Sequence, residues 1–520
     1  MPRNTRKETS NTQLVTTAQQ LASTIKSARQ TMRKDKGLST DLDRLPALTW
    51  IMFLKFLDDM EQMRETEAEL AGKRFRPVID PPHRWRDWAA KEDGITGDEL
   101  LAFISQDEAT RPDGTKGPGL FAYLRSLQSA NGRDRRDVVA TIFRETVNRM
   151  TSGYLLRDVL NKVNGIHFNS TQEMHTLGRF YETMLREMRD AAGQNGEFYT
   201  PRPVVRFMVE VIGPQLGETV LDPACGTGGF LAEAYHHLER QCATVEDRRR
   251  LQEESLFGQE AKSLPYLLCQ MNLLLHGLEY PNIAYGNSLA VRLQEIGDPD
   301  RVDIILTNPP FGGEEERGIL GGFPPDKQTV ETALLFLQLI MRKLRRPGHG
   351  SGRSGHAAVV VPDGILFGDG VGARIKEDLL QNFNLHTIVR LPNGVFAPYT
   401  PIPTNTLFFE RGGPTTEIWY YEQPPPEGRK HYTKTKPLRY EELSDLLAWW
   451  DRREANDRAW SVSAEEVAKD DYNLDLHHPS RDAAVSYEEP AALVNRIMEK
   501  ERTIARLLES LRSSFDEAPR

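Results

Sequence analysis

Between Thr171 and Arg411 the chain alternates short apolar runs with longer segments whose apolar residues recur every three or four positions. The runs are "TVLDPA" (219–224), "ESLFGQE" (254–260), "NIAYGN" (282–287), "VDIILTN" (302–308), "HAAVVVP" (356–362), "LHTIVRLP" (385–392) and "TNTLFFER" (404–411). Short continuous apolar runs suit strands covered on both faces by helices. Strands that alternate with helices build a mostly parallel sheet, so this spacing predicts an α/β fold. In open sheets of that kind, ligands sit at the carboxyl ends of strands. The residues that follow each run are therefore where function is sought.

The flanks read differently. Residues 1–170 predict a helical domain, because "NTQLVTTAQQLASTIKSARQTMR" and "LPALTWIMFLKFLDDMEQMRETEAEL" carry apolar residues at helical steps. The 72–120 segment, with its Gly, Pro and Trp, predicts a long irregular excursion, and a helix is expected from Arg135 to Met150. Residues 412–520 open on "GGPTTE" and "EQPPPEG" and end in a polar helix at about 487–514. There Leu493, Ile497, Ile504, Leu508 and Leu511 fall near heptad spacing. That stripe either folds back on its own domain or pairs with a partner's helices, and partner docking is the expectation. The expected organisation is thus 1–170, a catalytic domain over 171–411, and 412–520.

Composition narrows the class. An apolar share of 39% and a charged share of 27% are those of a soluble globular protein. No run approaches the ~18 apolar residues of a membrane span. The N-terminus has no charged-then-apolar signal pattern, which is read as a cytoplasmic protein. Cys225, Cys242 and Cys269 lack CxxC spacing, so neither a zinc site nor a disulfide scaffold is expected. A net charge of −9 argues against a protein that coats nucleic acid unaided, but leaves room for a local basic groove.

Four motifs follow strand ends or precede the first strand. "LDPACGTGGF" (221–230) brings Asp222 to a strand tip, then Gly226, Thr227, Gly228 and Gly229 before a helix. Glycines let backbone approach a ligand closely, and a helix start offers free N–H groups. The pattern is not GxGxxG and has no P-loop lysine. "FGQE" puts Glu260 at the tip of the next strand, the usual station for an acid that holds ribose hydroxyls. "GEFYTP" (196–201) precedes the first strand, with Phe198 and Tyr199 able to cover a ligand. "NPPF" ends the fourth run. Pro309 and Pro310 remove two backbone donors and stiffen the chain, leaving a hook of carbonyls, the Asn308 amide and the Phe311 ring. Such a hook suits a ligand that brings donors and a flat face.

Together these segments resemble the S-adenosylmethionine-dependent N6-adenine DNA methyltransferases, and most closely the modification subunit of type I restriction–modification systems. "GEFYTP", "DPACGTGGF", "GQE", "GNSL", "NPPF", "VVVPDGILFG" and "LPNGVFAPYTPIPTNTLFF" occur in that family's order. The resemblance covers about 170–411, and reaches the front more loosely through "LTWIMFLKFLDDM". "NPP[FYW]" alone is shared with methylases of protein amides and of RNA. The resemblance implies a Rossmann-like S-adenosyl-L-methionine-dependent sheet with a helical N-terminal domain and a helical tail. It implies that Glu197, Phe198, Tyr199, Thr200, Pro201 and Arg202 contact the cofactor, as do Thr227 to Gly229, and that Glu260 holds the ribose. Asn287 in "GNSL" stands where many relatives have an acid near the cofactor adenine. The resemblance also implies double-stranded DNA with a flipped adenine as substrate, a separate specificity subunit flanked by two modification subunits, and a restriction subunit that can join.

The resemblance accounts for the hook. Adenine's exocyclic amine is a poor nucleophile because its lone pair is delocalised into the ring. Two acceptors on its hydrogens, Asn308 Oδ1 and the Pro309 carbonyl, favour a pyramidal nitrogen whose lone pair is free to attack. Phe311 supplies a face for the flipped base, where stacking returns ~1–3 kcal/mol against a flipping cost of roughly a few kcal/mol. Other parts are plainer. "GGEEERGILGGFPPDKQT" (312–329) either closes over the target or is a loose loop, and "RKLRRPGHGSGR" (342–353) either touches phosphates or is a solvated loop. Cys225 reads as a packing residue. Three rival functions stay open: a stand-alone DNA methylase, an amide-nitrogen methylase acting on protein, and a non-catalytic adaptor.

Overall fold

The computed structural model describes residues 18–127, 135–166, 199–349, 352–367 and 370–482, with the single residues 498 and 501. Apart from residues 498 and 501, the expected last helix, 487–514, lies outside the described residues, as do Glu197 and Phe198.

All seven apolar runs form strands. Numbered after a small hairpin in the front half, β1 Glu108–Thr110 with β2 Lys116–Pro118, they are β3 Val220–Asp222, β4 Leu256–Glu260, β5 Asn282–Tyr285, β6 Ile304–Thr307, β7 His356–Pro362, β8 Asn384–Leu391 and β9 Thr404–Glu410. The sheet continues past Arg411 with β10 Glu417–Glu422 and β11 Ala459–Ser463. Nine strands lie in the order β11-β10-β8-β9-β7-β6-β3-β4-β5. β9 runs antiparallel to β7 and β8, and β11 antiparallel to β10, while the other pairs are parallel. The residues of β3, β6 and most of β7 are buried on both faces, as continuous apolar runs require.

This order contains a switch point. From β3 the chain moves outward through β4 to β5, then returns to β6 on the other side of β3. The carboxyl ends of β3, β4 and β6 therefore open a crevice, and they carry Asp222, Glu260 and Asn308.

The front half is helical, as expected, but 72–120 is more ordered than its composition suggested. Short helices Trp85–Trp88 and Gly97–Ser105 and the β1–β2 hairpin occupy it. Trp85 and Trp88 are buried, and the buried Arg157 guanidinium donates to the carbonyls of Trp88, Ala89, Lys91 and Ile95. One long-range cation thus satisfies a stretch of irregular backbone, which local pattern cannot reveal. The helix expected over Arg135–Met150 stops at Arg144. The Asn148 side chain accepts from Met150 N at 3.1 Å and closes a turn that competes with helix.

The two halves share a helix. Ser263–Leu275, directly after β4, sends Tyr266, Leu267, Leu268, Met271 and Leu275 into the front core and Cys269 and Leu273 into the core beneath the sheet. None of the described helices is long and apolar enough to cross a membrane.

Candidate functional site

Asp222 ends β3 fully buried. Its Oδ1 accepts from the Thr307 hydroxyl at 2.7 Å and from Ala224 N at 3.1 Å. Those bonds tie the tips of β3 and β6 together and favour the ionised form, but desolvation dominates and pushes the carboxyl up to about 7.

The glycine loop follows. Gly226 and Gly228 have φ of +52° and +76°, backbone that L side chains rarely adopt. A Cβ at Gly228 would stand 2.8 Å from Cys269 Sγ, so the loop needs glycine for space as well as for conformation. Helix Gly229–Glu239 starts at once. Thr227 O accepts from Asn272 Nδ2 at 2.8 Å, which fixes the loop onto the shared helix. Cys225 Sγ lies 3.7 Å from Cys269 Sγ in the core, and burial beside that thiol raises its pKa well above the usual value. It stays protonated and packs, as expected.

Glu260 ends β4 with its carboxylate turned toward the loop. Oε2 accepts from Gly226 N at 2.9 Å and Oε1 from Lys262 N at 2.8 Å. Burial raises its pKa, and those N–H groups oppose the rise. Each oxygen keeps a further lone pair, so Glu260 can shape the loop and still accept from a ligand.

Asn308 stands at the centre. Its Nδ2 donates to the Thr200 hydroxyl at 3.0 Å, just ahead of helix Arg202–Ile212. Its Oδ1 is buried with no hydrogen-bond partner among the described residues. An orphaned acceptor of this kind costs ~1–3 kcal/mol, a burden that a ligand donor would relieve. Thr200, Asp222, Gly226, Thr227, Gly229, Phe230 and Asn308 line one cavity. Arg202 donates to Gly229 O at 2.7 Å and so holds the start of the next helix. Tyr199 is buried in the front core rather than lying over the cavity.

Phe311 is half-buried, with Phe396 at 5.4 Å edge-to-face and Tyr399 at 6.0 Å, tilted. Both partners come from the loop between β8 and β9. Nothing in that loop's own sequence marks it as a neighbour of the hook. Thr307 was missed as well, since nothing local marks a strand threonine as the anchor of a carboxylate.

Asn287 lies off this cluster. Its Oδ1 accepts from Leu289 N at 2.9 Å and its Nδ2 donates to Glu315 at 3.2 Å. Glu315 belongs to the 312–329 segment, which is no loose loop: Glu315 N donates to Val330 O, a short helix spans Arg317–Leu320, and Phe323 is buried beside Leu289 and Leu293. The described part of the basic 342–353 segment sits at the amino edge of the sheet, opposite the crevice. Arg345 N donates to Val302 O, and Arg345 and Arg353 pair with Asp303 and Glu218.

Comparison with known proteins agrees with this geometry. The N-6 DNA Methylase family model matches residues 172–487, and the HsdM N-terminal domain model matches 21–163. The chain belongs to the N-6 DNA methylase family. It is 45% identical to the type I restriction enzyme EcoEI methylase subunit of Escherichia coli, over 95% of this chain and 97% of that one. The crystal structure of a modification subunit assigned to a type I restriction enzyme of Vibrio vulnificus YJ016 superposes with a TM-score of 0.85 at 70% identity, covering 91% of this chain and all of that one. A chain from a structure of type I R-M complex assembly and conformational transition gives 0.76 at 40% identity, covering 97% and 100%. As a type I methylase of this family, the chain carries both the helical front and the α/β half along the full length of these relatives.

Proposed function

We propose that this chain is the modification subunit of a type I restriction–modification complex, methylating the 6-amino group of adenine at a DNA sequence chosen by a separate specificity subunit. The Asn308 Oδ1, buried without a partner among the described residues, is the observation that supports this reading best. It accepts one hydrogen of the amine and the Pro309 carbonyl accepts the other. Thr200 holds the Asn308 amide so that its oxygen, not its nitrogen, faces the amine. Pro310 keeps the hook extended, and Phe311, braced by Phe396 and Tyr399, stacks on the extruded base. No strong base is needed before attack, because the amine proton turns acidic only as the new bond forms. Positioning of this kind can supply ~7–11 kcal/mol.

S-adenosyl-L-methionine supplies an electrophilic methyl when bound. Glu197, Phe198, Thr200 to Arg202, Asp222, Gly226 to Gly229 and Glu260 are the proposed contacts, with Glu260 accepting from the ribose and Asn287 at the outer rim, while Tyr199, buried in the front core, is left out. Residues 1–170 act as the front domain, and the catalytic domain, expected to end at 411, runs on through β10 and β11 to Ser463; partner docking is the role proposed for the apolar stripe at 487–514. Two such subunits flank one specificity subunit, a restriction subunit can join them, and the complex works in the cytoplasm.

Sequencing of methylated adenines tests the reading. The chain with a specificity subunit should methylate one site, and the chain alone slowly and without preference. Robust site-specific methylation by the chain alone would promote the stand-alone enzyme instead.

A further inference from the structure

An acidic chain that acts on DNA needs somewhere to meet phosphates, and the basic 342–353 segment faces the wrong edge. Between Glu427 and Glu441 lies a stretch with five Lys or Arg and no acid: "GRKHYTKTKPLRY". Its Tyr432 is buried, with its hydroxyl donating to Glu442 at 2.9 Å. Thr433 and Lys436 close a tight turn through reciprocal backbone bonds. Lys430, His431, Lys434 and Lys436 are left exposed around that anchor. The strap is therefore held firmly at its centre while its cations face solvent.

Its position is informative. Tyr432 N donates to Asn393 O at 2.9 Å, and a Cβ on Gly394 (φ +80°) would stand 2.2 Å from Tyr432 O. The strap lies directly against the β8–β9 loop, whose Phe396 and Tyr399 touch Phe311. β8 is parallel to β7 and β6, since β9 is antiparallel to both β7 and β8. The loop and strap thus stand on the same sheet edge as Asn308. Between them runs an open groove with Ala397, Pro398 and Thr400 on one wall and Lys430, His431 and Lys434 on the other.

We infer that this groove carries the backbone of the DNA strand next to the extruded adenine, with Lys430, Lys434 and Lys436 on its phosphates. One wall is uncharged and closely packed and the other is cationic, as a polyanion lying along the loop requires. The inference rests on the function proposed above and adds the DNA-contacting surface to it.

The test uses the complex of the full chain with its specificity subunit. DNA affinity is measured from low to moderate salt for the wild type, for K430A/K434A/K436A and for K430R/K434R/K436R, beside methylation kinetics and S-adenosylmethionine calorimetry. The slope of log K against log salt should fall by about 0.9 for each lost phosphate contact in the alanine variant. KM for DNA should rise for every sequence alike, with kcat at saturating DNA and cofactor affinity unchanged, and the arginine variant should keep the wild-type slope. An unchanged slope in the alanine variant overturns the inference. So does a loss that appears only as weaker assembly with the specificity subunit, which would make the strap a protein-docking surface. A wild-type complex that leaves adenine unmethylated would refute the underlying function rather than the strap alone.

Discussion

Replacing Asn308 by alanine should separate stability from activity. Among the described residues the side chain makes one hydrogen bond, to Thr200 at 3.0 Å, and buries one acceptor without a partner. Removing the bond costs ~1 kcal/mol and the small void about as much again, whereas deleting the orphaned carbonyl returns ~1–3 kcal/mol. The terms nearly cancel, so the stability of the cofactor-free chain should stay within about 1 kcal/mol of wild type. Methyl transfer should nevertheless fall by at least ~10², the scale of losing one preorganised polar group at a reacting centre. Urea unfolding gives the first quantity, and single-turnover transfer of labelled methyl to adenine gives the second. Wild-type turnover would refute the catalytic role. A stability loss of several kcal/mol that accounts for the lost turnover would refute the orphaned-acceptor reasoning, since Asn308 would then be a structural residue.

The remaining expectations concern its neighbours. Glu260→Ala should weaken S-adenosylmethionine binding about tenfold to a hundredfold by calorimetry, and it should also lower stability by ~1–3 kcal/mol because Gly226 N loses its acceptor; unchanged affinity would move the ribose contact elsewhere. Phe311→Ala should raise KM for DNA more than Phe311→Tyr or Phe311→Trp, and equal damage from all three would mean that the ring only packs against Phe396. Asp222, raised from 3.8 to about 7, keeps in the folded chain a proton that the unfolded chain has released, so stability should fall as pH climbs from about 4 to about 7 and level off above. The drop is at most about 4 kcal/mol, and Asp222→Asn should flatten it in urea titrations at several pH values; a slope that survives the substitution would assign it to another group.

The sheet was legible because β3, β6 and β7 are continuous apolar runs and most of its strands alternate with helices. β10 and β11 were not, since "EIWYYE" and "AWSVS" are short, partly polar and set among Pro- and Gly-rich turns. Glycine loop, Glu260 and hook were legible as local strings. What the strings could not give was their wiring: the Thr307 bond to Asp222, the Thr200 bond to Asn308, and the Glu260 grip on Gly226 join residues 34 to 108 positions apart. Arg157 escaped notice for the same reason, because a cation that serves carbonyls more than 60 positions away leaves no periodic trace.

The helix Ser263–Leu275 ties the history of the two halves together. Its front face is seated among the N-terminal helices, and its other face sets how much room Gly228 has, through Cys269 Sγ at 2.8 Å from where a Cβ would sit. A bulkier residue at 269 would press on the glycine loop, and a shift of the front helices would tilt the same rod. Neither half can drift, be exchanged or be grafted alone. Chimaeras between relatives should therefore keep this helix together with the front it is packed against.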